Sequence, residues 1–262
     1  MSILVESEKG LARVTLNRPD RRNAFDGAMV EEIRQAFDRL GRDRSVRVIV
    51  LSAVGGTFCA GADLSWMGPD RTLSPLVGRK AAERLLTMFR TIDECPCPVI
   101  GRIPGGAYGG GVGLIAVCDI AVAASESTFA FSEVRLGLVP AVIAPFVLRK
   151  AGETFARRFC LSGETFSAAT AMQAGLIQDV VDLAGLDAQV TALAEHIVCV
   201  APQAARDTKA LLRHLTDVST KRAWKACVDA NVRARLSAEA QEGLRAFRER
   251  RTPVWGDPSE RE

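Results

Sequence analysis

The chain has 262 residues, of which 48% are hydrophobic and 25% charged, a composition typical of a globular protein with a sizeable core. Its 34 basic and 31 acidic side chains leave a formal net charge of +3, too small for an extended nucleic-acid-binding surface. No uncharged apolar stretch reaches the roughly 20 residues of a membrane span, so we expect neither nucleic acid nor membrane as a partner. The first thirty residues lack a secretory signal pattern, and we expect a cytoplasmic protein.

Seven cysteines and two histidines restrict the chemistry that this chain can perform. An odd number of cysteines spread along the sequence does not form a disulfide framework, so we expect reduced thiols. Cys95 and Cys97 are one residue apart with no second pair nearby, which argues against a metal site. The sequence also lacks a G-x-S-x-G elbow, a Walker loop and a G-x-G-x-x-G fingerprint. We therefore expect no bound metal, no dinucleotide and no catalytic triad.

Predicted strands and helices alternate in the first half of the chain. Alternating apolar residues over 11–16 predict a half-buried strand, and helical spacing over 29–40 predicts an amphipathic helix that ends at Gly41. A buried strand over 46–54 follows, and a second helix is predicted over 79–92. Three further short strands are predicted over 98–101, 119–124 and 128–131. This alternation is typical of an α/β fold.

The C-terminal part has a different pattern. From about residue 188, runs of Ala, Leu, Arg, Glu and Gln predict helix that continues through Phe247, with Pro202 as the one plausible helix opener. We therefore divide the chain into an α/β core over 1–187 and a helical C-terminal region over 188–262.

Two glycine-rich loops, over 55–64 and 105–113, each follow a predicted strand. Glycine has no side chain to block an approaching ligand, so such loops can present bare backbone amides. The second loop opens a predicted helix, whose first N–H groups are unpaired and favour negative charge. The amides of Ala62 and Gly110 would then face a carbonyl oxygen as an oxyanion hole. The alternative is that both loops are simple tight turns.

Glu133 is the candidate acid–base group, because most of its neighbours in sequence are apolar. Such surroundings raise the pKa of a carboxyl group and suit it to exchange protons near neutral pH. The alternative is a solvated carboxylate, or one paired with Arg135.

Taken together, these motifs resemble those of the crotonase superfamily, also called the enoyl-CoA hydratase/isomerase family. The resemblance spans nearly the whole chain and implies a spiral of repeated strand–strand–helix turns, with a helical C-terminal region that builds trimers or dimers of trimers. The matching segments are 17–19 with 23–25, 58–64, 109–111, 132–140 and 242–251.

The resemblance also implies a substrate, an acyl-CoA thioester, and no permanently bound cofactor. Ala62 and Gly110 would hold the thioester oxygen, and Glu133 would move the proton. Coenzyme A would lie over the segments 22–24 and 60–64. Phe247 and Arg250 would cover the nucleotide of a neighbouring subunit. For Arg22 and Arg250 the alternative is a solvated surface charge. The implied substrate-binding residues are Arg22, Ala24, Ala60, Asp63, Leu64, Phe247 and Arg250.

One position departs from the family pattern. Ordinary hydratases of this family carry a second glutamate, and the matching residue here is Gly113. A lone glutamate is typical of Δ3-Δ2 isomerases, whereas the strings around Ala62, Gly113 and Glu133 resemble bacterial methylglutaconyl-CoA hydratases. We expect addition of water to an enoyl-CoA; isomerisation, decarboxylation and non-catalytic acyl-CoA binding remain as alternatives.

A substrate with a terminal carboxylate would need a cation in the acyl pocket. The candidates are Arg71, Arg79, Lys80 and Arg84, each of which could equally be an exposed helix residue. Trp66 is a candidate wall of the acyl pocket, and Cys59 and Cys118 are expected to pack in the core.

Overall fold

A computed structural model describes residues 1–67, 74–216 and 218–255. Its strands are β1 Ile3–Glu8, β2 Leu11–Leu16, β3 Val48–Ala53, β4 Thr57–Cys59, β5 Val99–Ile103, β6 Gly106–Tyr108, β7 Ile120–Ala124, β8 Thr128–Ala130, β9 Phe166–Ser167 and β10 Asp179–Val181. Its α-helices are α1 Gly27–Arg42, α2 Leu64–Met67, α3 Pro75–Asp93, α4 Gly110–Val117, α5 Ala144–Ser162, α6 Ala168–Gln173, α7 Leu186–Val198, α8 Pro202–Leu215, α9 Thr220–Leu236 and α10 Ala238–Glu249. Two 3₁₀ helices span Pro19–Arg21 and Ser132–Leu136.

The strands form two sheets, and the chain alternates between them. In the described residues one sheet has the order β1-β2-β3-β5-β7-β10, and the other has the order β4-β6-β8-β9. Each of the pairs β3-β4, β5-β6 and β7-β8 gives its first strand to one sheet and its second to the other before a helix follows. β3, β5 and β7 pair in parallel, as do β4, β6 and β8. The predicted spiral of strand–strand–helix turns is confirmed.

β3 shows why the first sheet lies inside the molecule. Ile49 and Leu51 belong to the larger apolar cluster, whereas Val48 and Val50 belong to a second cluster on the other face. Successive side chains of a strand point to opposite faces, so a strand covered on both sides is apolar at every position. The helix α7 covers the second face through residues such as Val190.

The C-terminal region is helical, as predicted, but the expectation of continuous helix through Phe247 is wrong. The described residues contain four helices there, α7 to α10, with breaks before Pro202, before Thr220 and at Ser237. Proline opens α8 because it has no N–H to leave unpaired, and Ser237 starts α10 by accepting a bond from the Ala240 amide at 3.1 Å. The division between 1–187 and 188–262 stays a prediction. None of the described helices is long and apolar enough to cross a membrane.

Candidate active site

The first glycine loop presents the amide of Ala62. Phe25 donates from its N–H to the Gly61 carbonyl and accepts from the Asp63 amide, both at 2.9 Å. In an extended segment, neighbouring residues direct their N–H groups to opposite sides, so the Ala62 amide points away from Phe25. Within the described part of the chain, no backbone carbonyl accepts from it. The loop therefore offers a free donor.

The second glycine loop offers the amide of Gly110, the first residue of α4. Its N–H lies in the first turn of the helix, where N–H groups have no acceptor within the helix. A Cβ atom at Gly61 would lie 2.7 Å from the carbonyl oxygen of Tyr108 and 3.3 Å from the nitrogen of Gly110. Only glycine permits this approach, and Gly61 has a φ of +88°. The two loops meet here, which brings the amides of Ala62 and Gly110 to one wall.

Glu133 lies beside that wall, on the 3₁₀ helix Ser132–Leu136 that follows β8. A Cβ atom at Gly109 would be 3.1 Å from its Oε1 atom, so the carboxylate packs against the residue that precedes Gly110. Its Oε2 atom is buried without a hydrogen-bond partner among the described residues. Burial raises the pKa of Glu133 above its usual value. Among the described side chains it forms no ion pair, with Arg135 or otherwise.

These three groups line one cavity of about 770 Å³, called the reaction cavity below. Its charged side chains in the described residues are Arg22, Glu133 and Arg135. Most of the rest of its wall is apolar, so a ligand group inside it meets little competition from water. Large apolar side chains of this wall include Trp66, Val77, Leu85, Val139, Val142 and Ile143.

Several predicted substrate-binding residues line the reaction cavity, namely Arg22, Ala60 and Leu64. Ala24 and Asp63 are not among the lining residues. Asp63 instead accepts from the Ser65 hydroxyl at 2.6 Å and pairs with Arg18 at 3.2 Å.

Arg18 and Asn23 lie in the matching segments 17–19 and 23–25, but sequence reasoning did not assign them the support of the loop beneath the site. The guanidinium of Arg18 donates to the Ala24 carbonyl at 2.6 Å. Asn23 is fully buried in a left-handed conformation, and its side chain donates to the carbonyls of Val54 at 2.9 Å and Thr57 at 2.8 Å. Asparagine tolerates this conformation and fixes turns by such bonds, which is the signal in the sequence that points to it.

The remaining predicted residues lie elsewhere. Phe247 is 83% exposed on α10, and Arg250 ends that helix; neither lines the reaction cavity of its own chain. Arg79 lines a separate groove, whereas Lys80 and Arg84 line neither space. Arg71 lies outside the described residues.

The predicted packing cysteines are buried, and Trp66 lines the reaction cavity. Burial raises the pKa of Cys59 and of Cys118 to about 12, so both thiols stay protonated. The Cys59 thiol donates to the carbonyl of Asn23 at 3.2 Å, and Cys118 donates to that of Leu114 at 3.2 Å.

Gly113 has no room for a side chain. A Cβ atom there would collide with the side chain of Ile143 and lie 3.0 Å from the Phe89 ring. Ile143 itself lines the reaction cavity. An apolar side chain therefore fills the space that a longer residue at position 113 would need, and among the described lining residues Glu133 is the one carboxylate.

Comparison with known proteins agrees with this fold and site. The sequence model of the family described as Enoyl-CoA hydratase/isomerase matches residues 6–258. An Alternaria alternata protein named enoyl-CoA hydratase AKT6-1 is 32% identical over 260 residues, which cover 98% of this chain and 84% of that protein. A solved enoyl-CoA hydratase from Shewanella pealeana is 36% identical, with a TM-score of 0.93 and coverage of 97% and 96%. Pseudomonas aeruginosa AtuE is 34% identical, with a TM-score of 0.93 and coverage of 98% and 100%. This chain therefore belongs to the enoyl-CoA hydratase/isomerase family of the crotonase superfamily.

Proposed function

We propose that this enzyme adds water across the 2,3 double bond of an enoyl-CoA thioester. One observation carries the proposal: among the described residues, two unpaired backbone amides and a single partly buried carboxylate converge on an apolar cavity. The names of relatives such as enoyl-CoA hydratase AKT6-1 support hydration as the reaction.

The amides of Ala62 and Gly110 would bind the thioester oxygen. As the hydroxyl group adds to the β-carbon, negative charge moves onto that oxygen, and donors held in place stabilise it without reorganisation. Gly110 adds the positive end of the α4 dipole. One such donor typically contributes a factor of about 100 to 1000 in rate.

Glu133 would perform both proton transfers. Its carboxylate takes a proton from water while the oxygen of that water bonds to the β-carbon, and the resulting carboxyl group then gives the proton to the α-carbon. The thioester enolate is consumed and the carboxylate is restored, so atoms and charge balance. Burial raises the pKa of Glu133, which favours the protonated form of the carboxyl group in the intermediate.

Isomerisation of a 3-enoyl-CoA to the 2-enoyl isomer is the second candidate. It is favoured by the packing of Ile143 into the space beside Gly113, which leaves the described cavity with one carboxylate. A single base is sufficient to move one proton along the acyl chain.

For 3-methylglutaconyl-CoA, the distal carboxylate would have to meet a cation. Arg22 and Arg135 line the reaction cavity, whereas Arg79, Lys80 and Arg84 do not. Arg135→Gln would then raise KM for this substrate more than for crotonyl-CoA, whereas Arg22→Gln would raise KM for both thioesters if Arg22 binds the coenzyme A part.

The test is turnover of crotonyl-CoA, 3-methylglutaconyl-CoA and a 3-enoyl-CoA by the wild type and Glu133→Gln. Loss of the conjugated thioester absorbance reports hydration, and its gain reports isomerisation. We expect hydration, and a fall of about 100-fold to 10,000-fold in the variant with acyl-CoA affinity within about tenfold. Near-normal turnover by the variant would refute the role of Glu133. Tight binding without turnover of any substrate would instead favour an acyl-CoA-binding protein or a substrate outside this panel.

A further inference from the structure

The 3₁₀ helix that carries Glu133 depends on its neighbours for its position. It spans Ser132–Leu136, is called the Glu133 segment below, and none of its described residues is buried as a whole. Its end is closed by the amides of Gly137 and Leu138, which donate to the carbonyls of Val134 and Glu133 at 3.2 Å and 3.0 Å. The hydrogen bonds of so short a 3₁₀ helix hold it weakly. The elements that pack against the segment therefore decide where the carboxylate lies.

The end of α5 is in close contact with the Glu133 segment. Gly163 directly follows this helix with a φ of +64°. A Cβ atom at Gly163 would lie 3.0 Å from the Cγ2 atom of Val134 and 3.2 Å from the Cγ atom of Arg135. Carbon atoms pack at about 3.5–4.0 Å, so an added methyl group would displace the segment by about half an ångström.

Two further residues of α5 lie near the same segment. Cys160 is one helical turn before Gly163; burial raises the pKa of its thiol to about 11, and the nearby charge of Glu133 raises it further. Phe155 packs edge-on against Phe131, the buried residue that precedes the segment, with ring centroids 6.4 Å apart. One helix therefore contacts both the start of the Glu133 segment and its middle.

We propose that Gly163 is a positioning residue for the reaction: its missing side chain lets the end of α5 support the Glu133 segment and hold the carboxylate in place. Gly163 does not line the reaction cavity, so it acts through the segment. This inference rests on the proposed function, because that function makes Glu133 the group that transfers the proton. Misplacement of a reacting group by about 1 Å can cost about 100-fold in rate, so half that displacement should cost about 10-fold.

The first test is Gly163→Ala with crotonyl-CoA, which has no distal carboxylate for Arg135 to meet. We expect kcat to fall about 10-fold or more while KM stays within about threefold, since the displaced group transfers protons and does not bind coenzyme A. Val134→Ala removes the methyl group that the new Cβ atom would meet. The double variant should therefore return to within about threefold of the kcat of Val134→Ala alone. Alanine keeps the unfavourable positive φ in the double variant, so this rescue would assign the loss to the contact.

Gly175→Ala is the matched control. Gly175 lies just beyond the end of α6 with a φ of +77°, and the nearest described atom to a Cβ there would be the Lys150 carbonyl oxygen at 3.5 Å, an ordinary contact. This variant should lower Tm as Gly163→Ala does, with kcat nearly unchanged. If Gly163→Ala does not fold, Gly163→Asn and Gly175→Asn replace the pair, because asparagine tolerates the left-handed conformation and still has a Cβ atom.

Hydrogen exchange tests the same packing without turnover. The Leu138 amide donates to the Glu133 carbonyl, so exchange in peptides that cover 132–140 reports how firmly the segment is held. Gly163→Ala should speed this exchange several-fold, and Gly175→Ala should not.

The outcomes separate this inference from the proposed function. An unchanged kcat in Gly163→Ala, an equal fall in Gly175→Ala, or a loss that Val134→Ala does not restore would overturn the inference and leave the proposed hydration intact. A wild type without turnover would instead contradict the proposed function. Equal exchange in the two glycine variants would then overturn the support of the Glu133 segment by Gly163 as well.

Discussion

Gly61 stands where the two glycine loops touch, and its missing side chain allows the Ala62 and Gly110 amides to share a wall. We predict that Gly61→Ala lowers kcat/KM by about 100-fold or more, because the added methyl group pushes one donor out of position. The positive φ and the nearby Tyr108 carbonyl should also cost about 1–3 kcal/mol of unfolding free energy.

Gly56 supplies the matched control for this prediction, since it lies in the same loop and a Cβ atom there would meet nothing within 4 Å. Gly56→Ala should leave kcat/KM and the urea midpoint nearly unchanged. If both substitutions lowered kcat/KM equally, the contact between the two loops would not be the cause. The loop would then be sensitive to any added side chain.

Glu133 predicts a characteristic pH dependence. Hydration needs its carboxylate, and burial raises its pKa, so the acid limb of kcat/KM should lie above the usual glutamate pKa of about 4.3. The folded state then holds the proton more tightly than the unfolded chain. Its contribution to stability is present below the unfolded pKa and is lost as pH rises through the folded pKa.

Glu133→Gln removes the group that causes this loss of stability. The Tm of the variant should therefore rise relative to the wild-type Tm as the pH is raised from about 4 to about 8. Glu126→Gln is the control, because Glu126 is an exposed glutamate outside the reaction cavity. A Tm difference that stays constant over this pH range would mean that Glu133 titrates alike in the folded and unfolded states.

Sequence reasoning at the residue scale succeeded where local composition carries the information. Glu133 has apolar neighbours in sequence, and the structure buries its Oε2 atom. The structural role of Asn23 was missed because its partners, the carbonyls of Val54 and Thr57, are more than thirty residues away. The contact of Ile143 with Gly113 was missed for the same reason, since a single sequence does not reveal which side chain fills a distant space.

At the scale of elements, continuous apolar runs were the reliable signal. β3 was predicted because both of its faces are buried, and such a strand has a continuous apolar run in the sequence. β1 was not predicted, since Glu6 and Glu8 interrupt its pattern and its outer residues are exposed at the edge of the sheet. Pro202 was predicted to open a helix, and α8 begins there. The breaks before Thr220 and at Ser237 were missed because a helix former such as alanine or leucine favours helix on both sides of a break.

Ser237 marks one of those breaks, and it predicts a measurable cost. Its hydroxyl accepts from the Ala240 amide at 3.1 Å, which satisfies a free donor in the first turn of α10. Ser237→Ala should therefore lower the unfolding free energy by about 1 kcal/mol. Ser219 precedes α9 without such a bond, so Ser219→Ala is the matched control and should have little effect. Denaturant titration of both variants measures the unfolding free energy. A loss in Ser237→Ala alone would assign the stabilisation to the capping bond, and an equal loss in both would assign it to serine at a helix start.

At the scale of the whole molecule, α9 and α10 expose more apolar surface than an isolated chain favours. No described residue of α9 is buried, and Trp224 is 69% exposed with Val228 one turn further along. Phe247 and Leu244 expose a similar surface on α10. Apolar patches of this kind mark surfaces that bind another protein. We propose that they join subunits of a homotrimer or a dimer of trimers.

This proposal predicts a solution mass of about 85 kDa or its double, since three chains of 28.2 kDa make a trimer. Trp224→Glu should shift the mass toward a single chain by placing a charge in the interface, whereas Arg222→Glu, on the opposite side of α9 by helical spacing, should not. Light scattering with size-exclusion chromatography measures the mass of both variants.

If Phe247 and Arg250 cover the nucleotide of a neighbouring subunit, the separated Trp224→Glu chains should also have a raised KM for acyl-CoA while the reaction cavity is intact. A wild-type mass of 28.2 kDa would contradict the proposal and leave α9 and α10 without a partner of the same chain.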